Sequence, residues 1–169
     1  MEIRFAILTI SDRSSRGERA DTSGPALAQK VAEQGWQVLL QSVVPDEFER
    51  IRDTLAAWAD QSQANSSAVD VILTTGGTGF SPRDVTPEAT QEVIERSAPG
   101  LAEAMRAASL QITPHAMLSR ASAGIRRQTL IVNLPGSPKG AVENLEVILP
   151  VLPHAVLMMR DNPDYEAGH

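Results

Sequence analysis

The sequence predicts an α/β domain, a three-layer fold in which a mostly parallel sheet is flanked by helices, and three features predict it. Short apolar runs alternate with segments of helical periodicity from end to end. Several of those runs are continuously apolar, as strands covered on both faces are. Polar or glycine-rich turns follow the runs, at what would be the carboxyl ends of parallel strands, where open α/β sheets bind their ligands.

Taken in order, Ile3 to Ile10 reads as a buried strand and Ser11 to Asp21 as a polar loop. Thr22-Ser23-Gly24-Pro25 opens a helix, with proline early in its first turn, ahead of Leu27 and Val31. Gly35 stops it, and Trp36 to Val44 is a second strand. Pro45-Asp46-Glu47 then opens a helix with Phe48, Ile51, Leu55 and Trp58 on one face. The low-complexity stretch from Asp60 to Ala68 reads as a flexible surface loop, because a strand resumes at once over Val69 to Thr74. A glycine-rich turn over Gly76 to Arg83 leads to a helix from Thr86 through Val93 to Arg96, and an amphipathic helix follows over Gly100 to Leu110. Thr129 to Asn133 is a short buried strand, and Leu134-Pro135-Gly136-Ser137-Pro138 a rigid turn. A last helix runs from Lys139 to Arg160, kinked or interrupted at Pro150 and Pro153. The 169 residues read as a single domain over 1–169, without internal repeats.

Composition narrows the function. A formal net charge of −6 and a sequence pI near 5.0 argue against a nucleic-acid partner or a basic membrane-surface role. Cysteine is absent, which excludes disulfides and thiol chemistry. The chain lacks an uninterrupted apolar span and a basic leader, so a soluble, cytoplasmic protein is expected. Lys30 and Lys139 are the only lysines among 15 cations. The arginine excess permits an anionic ligand, since the guanidinium fork suits phosphate and carboxylate.

The segment Thr74-Thr75-Gly76-Gly77-Thr78-Gly79-Phe80-Ser81-Pro82-Arg83-Asp84 carries the sharpest signal. Glycines beside hydroxyls let backbone N–H groups approach an anion closely. A Cβ at Gly77 is expected to push the backbone away from such a ligand while disturbing little core. The segment is neither a P-loop, lacking the lysine, nor a dinucleotide fingerprint, lacking the spacing. Asp46 and Asp84 each follow a strand at a helix start, where capping alone would account for either one. Together beside a phosphate cradle they form the carboxylate pair that suits Mg²⁺. Asn133 and Ser137 could meet a base or sugar edge, and Lys139 a phosphate. The three histidines show no metal-ligand spacing.

These segments together resemble the molybdopterin-binding family of molybdenum-cofactor biosynthesis, in its MogA-type branch. The likeness spans Ile10-Ser11-Asp12-Arg13, Ser23-Gly24-Pro25, Val44-Pro45-Asp46-Glu47, TTGGTGFSPRDVTPEAT at 74–90, Pro99-Gly100, Leu118-Ser119-Arg120, Ala123-Gly124-Ile125-Arg126 and Asn133-Leu134-Pro135-Gly136. It implies adenylyl transfer from ATP to molybdopterin with Mg²⁺, in a cytoplasmic homotrimer working alongside other molybdenum-cofactor biosynthesis proteins. Carried over by position, Asp46 and Asp84 match the family's two essential aspartates and would hold the metal. Gly76, Gly77, Thr78 and Gly79 match its phosphate and nucleotide cradle. Ser109, Ser119, Asn133 and Pro135 match residues lining the nucleotide or pterin region. Ser11, Asp12, Thr75 and Gly136, on the same edge, complete the candidate substrate-binding set. A MoaB-type branch can lose both aspartates and then lacks activity, which makes a non-catalytic molybdopterin carrier the alternative. This chain keeps both aspartates.

Overall fold

The computed structural model describes residues 1–61 and 68–160; most of the low-complexity stretch and the tail from 161 lie outside the described residues. Four parallel strands make up most of the sheet: the central β1 (Arg4–Ile10), β3 (Val71–Thr75) and β6 (Thr129–Leu134), and β2 (Gln37–Val44) at one edge. Two short strands, β4 (Arg96–Ser97) and β5 (Ala123–Arg126), extend it antiparallel. The order is β2-β1-β3-β6-β5-β4.

Alternation along each central strand explains the continuous apolar runs. Ile3, Phe5 and Ile7, with Val71, Leu73, Leu130, Val132 and Leu134, face one side of the sheet. There they pack on Leu27 and Val31 of α2 (Ser23–Glu33), Met105 of α5 (Pro99–Leu110), Leu145 and Ile148 of α6 (Pro138–Ile148), and Leu152 and Val156 of α7 (Leu152–Met159). Ala6, Leu8, Ile72 and Ile131 face the other side, against Ile51 and Leu55 of α3 (Phe48–Gln61) and Ala89 and Val93 of α4 (Thr86–Val93). Both faces of β1, β3 and β6 are covered, so these three strands show no period-two polarity. The edge strand β2 alternates, with Gln37, Leu39 and Gln41 exposed and Val38 and Leu40 half-buried.

A tight helical turn over Leu149–Val151, with Pro150 in it, separates α6 from α7 as the prolines predict. Pro138–Met159 is long and apolar enough to cross a membrane, at mean hydropathy 1.4. Its apolar face is nonetheless core, with Leu145, Leu152 and Val156 wholly buried.

The helix expected to reach Arg96 ends at Val93. Ile94 turns extended (φ −71°, ψ 144°), and Arg96 and Ser97 pair with Ile125 and Gly124. A one-turn helix, α1 (Asp12–Ser15), lies within the segment read as a polar loop, and a tight helical turn over Pro114–Leu118 follows α5 where the sequence reading assigns no element.

Candidate functional site

The strand order reverses between β1 and β3: the chain leaves β1 toward β2 on one side and returns to β3 on the other. Their carboxyl ends therefore open a crevice into which Ser11, Asp12, Thr75, Gly76 and Gly77 are delivered. Asp12 and Asp46 bind each other reciprocally. The Asp12 N–H donates to Asp46 Oδ2 at 2.9 Å, and the Asp46 N–H donates to Asp12 Oδ1 at 3.0 Å. Arg83 then forks onto Asp12, Nε to Oδ2 at 2.9 Å and Nη2 to Oδ1 at 2.8 Å. Three loops are thereby locked together around one carboxylate.

Close backbone approach shapes the glycine turn. Gly76, at φ +105°, has no room for a Cβ because the Ile10 carbonyl occupies that position, and Gly136 packs against its Cα. The Gly76 N–H donates to the Leu134 carbonyl at 3.2 Å, and Thr86 Oγ1 donates to the Gly76 carbonyl at 2.9 Å. Among the described residues, the N–H groups of Gly77, Thr78 and Gly79 meet no protein acceptor. The donor cradle is thus Gly77–Gly79, one residue shorter than the sequence suggests. Gly77, at φ +67°, also lies against Thr86 Oγ1. A side chain there strains the fold as well as the cradle, contrary to the expectation of little structural cost.

Two cavities flank the turn. The first, about 690 Å³, is lined by Ser11, Asp12, Asp46, Thr75, Gly76, Gly77, Asp84 and Gly136, and by Arg13 and Arg19. The second, about 310 Å³, is lined by Thr78, Gly79, Ser109, Ser119 and Pro135, with Met105 and His115. Ser137 lines both. Asn133 reaches neither. It is wholly buried, its amide donating to Thr74 Oγ1 at 3.0 Å and Thr90 Oγ1 at 2.9 Å and its Oδ1 accepting from the Ser122 N–H. Lys139 lines neither cavity and lies near Glu143.

The carboxylates differ in charge environment. Hydrogen bonding from Arg83 holds Asp12 below the usual carboxylate range. Burial pushes Asp46 up, partly offset by the Asp12 N–H and reinforced by the negative charges of Asp12 and Asp84. Asp84 accepts the Ser81 N–H at 3.1 Å through Oδ2 and borders Gly79. Asp46 and Asp84 each spend one oxygen on a backbone donor, while Asp12 is saturated by Arg83 and Asp46.

Among the described residues no three metal-binding side chains converge to hold an ion by themselves. Two hard carboxylates bordering a cradle of free N–H groups fit Mg²⁺, which completes its shell with water and substrate phosphate. A cation would also offset the negative charges of Asp12 and Asp84 that add to the effect of burial on Asp46.

A doubly wound sheet with such a crevice defines an α/β protein that takes a small ligand at its carboxyl edge. The family described as "Probable molybdopterin binding domain" matches residues 6–154. The chain is 41% identical over 162 residues to the molybdopterin adenylyltransferase of Helicobacter pylori (strain ATCC 700392 / 26695), covering 95% of itself and 89% of that protein. It is 46% identical to gephyrin of Dictyostelium discoideum over 93% of its own length, yet spans only 22% of gephyrin, and it spans 26% of the cinnamon protein of Drosophila melanogaster. Among solved structures, the molybdopterin biosynthesis enzyme MoaB of Thermus thermophilus superposes with a TM-score of 0.86 at 51% identity, covering 95% of this chain and 98% of that one. A MogA structure gives 0.84 at 37%, covering 92% and 99%. The chain belongs to the molybdopterin-binding domain family of molybdenum-cofactor biosynthesis.

The sequence reading missed the backing of this site. Arg83 and Arg120 appeared only as letters in motifs, and Thr86 only as a helix start. Their roles depend on contacts 71, 36 to 41 and 10 residues away, respectively, which spacing rules do not see.

Proposed function

We propose that this chain transfers the adenylyl group of ATP to molybdopterin, giving adenylyl-molybdopterin and pyrophosphate. One observation carries the reading: Asp46 and Asp84, each with an uncommitted oxygen, border a cradle of free N–H groups between two cavities. The relatives named molybdopterin adenylyltransferase support it.

The two substrates would occupy the two cavities, their phosphates meeting over Gly77–Gly79. A terminal phosphate oxygen of molybdopterin attacks the α-phosphorus, and the bond to the pyrophosphate oxygen breaks in line. The chain positions both partners and neutralises charge. The Gly77, Thr78 and Gly79 N–H groups hold phosphate oxygens, and Arg13 and Arg19 face the anionic chain of the larger cavity. Asp46 and Asp84 would hold Mg²⁺, which supplies charge neutralisation on the transferring and leaving phosphates. A carrier that only held an anion would gain nothing from two free carboxylates at the phosphate site.

Pyrophosphate release from ATP should depend on added molybdopterin. Asp84→Asn should keep the fold by circular dichroism and lose turnover by more than about tenfold, since the amide recruits no cation. Release without molybdopterin, or turnover retained in the variant, would overturn the reading. The family likeness extends the proposal to a cytoplasmic homotrimer, for which light scattering should give about three times 18.2 kDa.

A further inference from the structure

Arg120 lines neither of the two cavities, yet it hydrogen-bonds the glycine turn more heavily than any residue inside them. Its Nε donates to the Gly79 carbonyl at 2.7 Å and its Nη2 to the Asp84 carbonyl at 2.7 Å. Its backbone N–H donates to the Thr78 carbonyl at 2.9 Å, and Nη1 pairs with Glu88 on α4. One planar fork thus spans both ends of the Gly79–Asp84 excursion from behind. Gly79 lines the smaller cavity, whereas Asp84 lines the larger.

The chain on the other side of Arg120 is equally informative. Ser119, its immediate neighbour, lines the smaller cavity together with Thr113, His115, Ala116 and Leu118. Arg106 holds this segment through the carbonyls of Ser119 and Ala121, at 3.1 and 3.2 Å. Ser119 is therefore joined, through its neighbour Arg120, to the peptide that carries Asp84. No comparable hydrogen bond links the 113–121 segment to Asp12 or Asp46 among the described residues.

We propose that Arg120 is a positioning residue that couples the two cavities: a ligand seated against Ser119 fixes the Asp84 carboxylate for the phosphates in the larger cavity, and the reverse. The proposal rests on the adenylyl-transfer reading of the site. It assigns Arg120 no contact with substrate. The guanidinium plane matters because a lysine ammonium cannot reproduce two fixed, parallel donors. Linkage requires the coupling to be reciprocal: each ligand tightens the other by the same factor.

The test measures binding, independently of turnover. Calorimetry with the full chain and Mg²⁺ titrates a non-transferable ATP analogue, methylene-bridged between the α- and β-phosphates, with and without saturating molybdopterin. In the native protein molybdopterin should tighten the analogue about fivefold or more. In Arg120→Ala the factor should fall to about one, with each ligand alone binding within about threefold of native, because the lost interaction is the coupling itself. Glu88→Gln, which leaves both carbonyl bonds in place, should keep the coupling. Should the alanine chain fail to fold, Arg120→Lys carries the same measurement, since it keeps the charge and loses the fork. Coupling that survives in the arginine variants, or two ligands that bind the native protein independently, would overturn the role of Arg120 while leaving the proposed function standing. Failure of either ligand to bind the native protein would remove the proposed function and this inference together.

Discussion

Among the described residues, Asp46 is the carboxylate whose surroundings disfavour its charge. Its carboxylate is half-buried, receives one N–H, and faces Asp12 and Asp84. Its pKa is raised above the ordinary 3.8, so the folded state binds this proton more tightly than the unfolded chain does. The associated stability is fully present below about pH 3.8 and is lost as the pH rises through the raised value. At neutral pH the charged Asp46 therefore weakens the fold. Asp46→Asn keeps an oxygen to accept the Asp12 N–H and should raise the melting temperature by roughly 1–3 °C at pH 7. The gain should shrink toward zero as the melts are repeated at falling pH, and turnover should be lost throughout. A variant that melts lower than the native protein at pH 7 would show that charge repulsion and burial do not govern this position. Asp12 has the opposite sign. Its lowered pKa makes its pairing with Arg83 a contribution that persists at neutral pH and disappears only on strong acidification.

The turn between β3 and α4 separates structural glycines from functional ones. Gly77 is strained by any side chain, whereas Gly79 has no positive φ, and a Cβ there would meet only Asp84 Oδ2 at 2.9 Å. Gly79→Ala should therefore displace the carboxylate with little effect on the backbone. Turnover should fall about tenfold or more while the melting temperature moves by less than about 2 °C, a split that follows from perturbing a positioned group outside the core. Parallel loss of both would reassign Gly79 to the fold. This distinction was only half legible beforehand. The run of glycines announced a tight turn, and Asp46 and Asp84 announced acids on the same edge, because both signals are local. The central strands were legible for a similar reason: burial on both faces writes itself as an uninterrupted apolar run. β4 and β5 were not, since Arg96–Ser97 is exposed and Ala123–Arg126 mixes a glycine with an arginine. Asn133 was misplaced because an amide beside a Pro-Gly turn looks like a ligand contact, and only the fold reveals Thr74 and Thr90 closing on it.

Across the whole molecule, charge pairing at the amino ends of the strands opposes the strained acids at the carboxyl ends. Asp70, wholly enclosed just before β3, accepts from the Arg4 N–H at 2.9 Å, from the Arg4 side chain, and from Arg160 Nη2 at 2.6 Å. It ties the end of α7 to the start of the sheet, about 17 Å from Thr75 by strand rise. Asp70→Ala removes the buried carboxylate on which the Arg4 and Arg160 guanidinium groups converge and should cost about 2–4 kcal/mol. That should lower the melting temperature by about 5–10 °C. Turnover per folded molecule should be unchanged at 25 °C; a fall in turnover without a fall in melting temperature would contradict this division.

The position of β1 has a kinetic consequence. β1 leaves the ribosome before both strands that flank it, Gln37–Val44 and Val71–Thr75. Its apolar residues cannot be enclosed until synthesis has passed Thr75, and β3 then waits for Leu130 to pair with Val71. Nascent chains halted before residue 130 carry an unsheathed β3 edge, the sort of surface on which chaperones act and aggregation begins. Long-range parallel pairing of this kind sets folding on the slow side for a domain of this size. Refolding yield, more than equilibrium stability, is then the quantity that expression temperature and chaperone supply should govern.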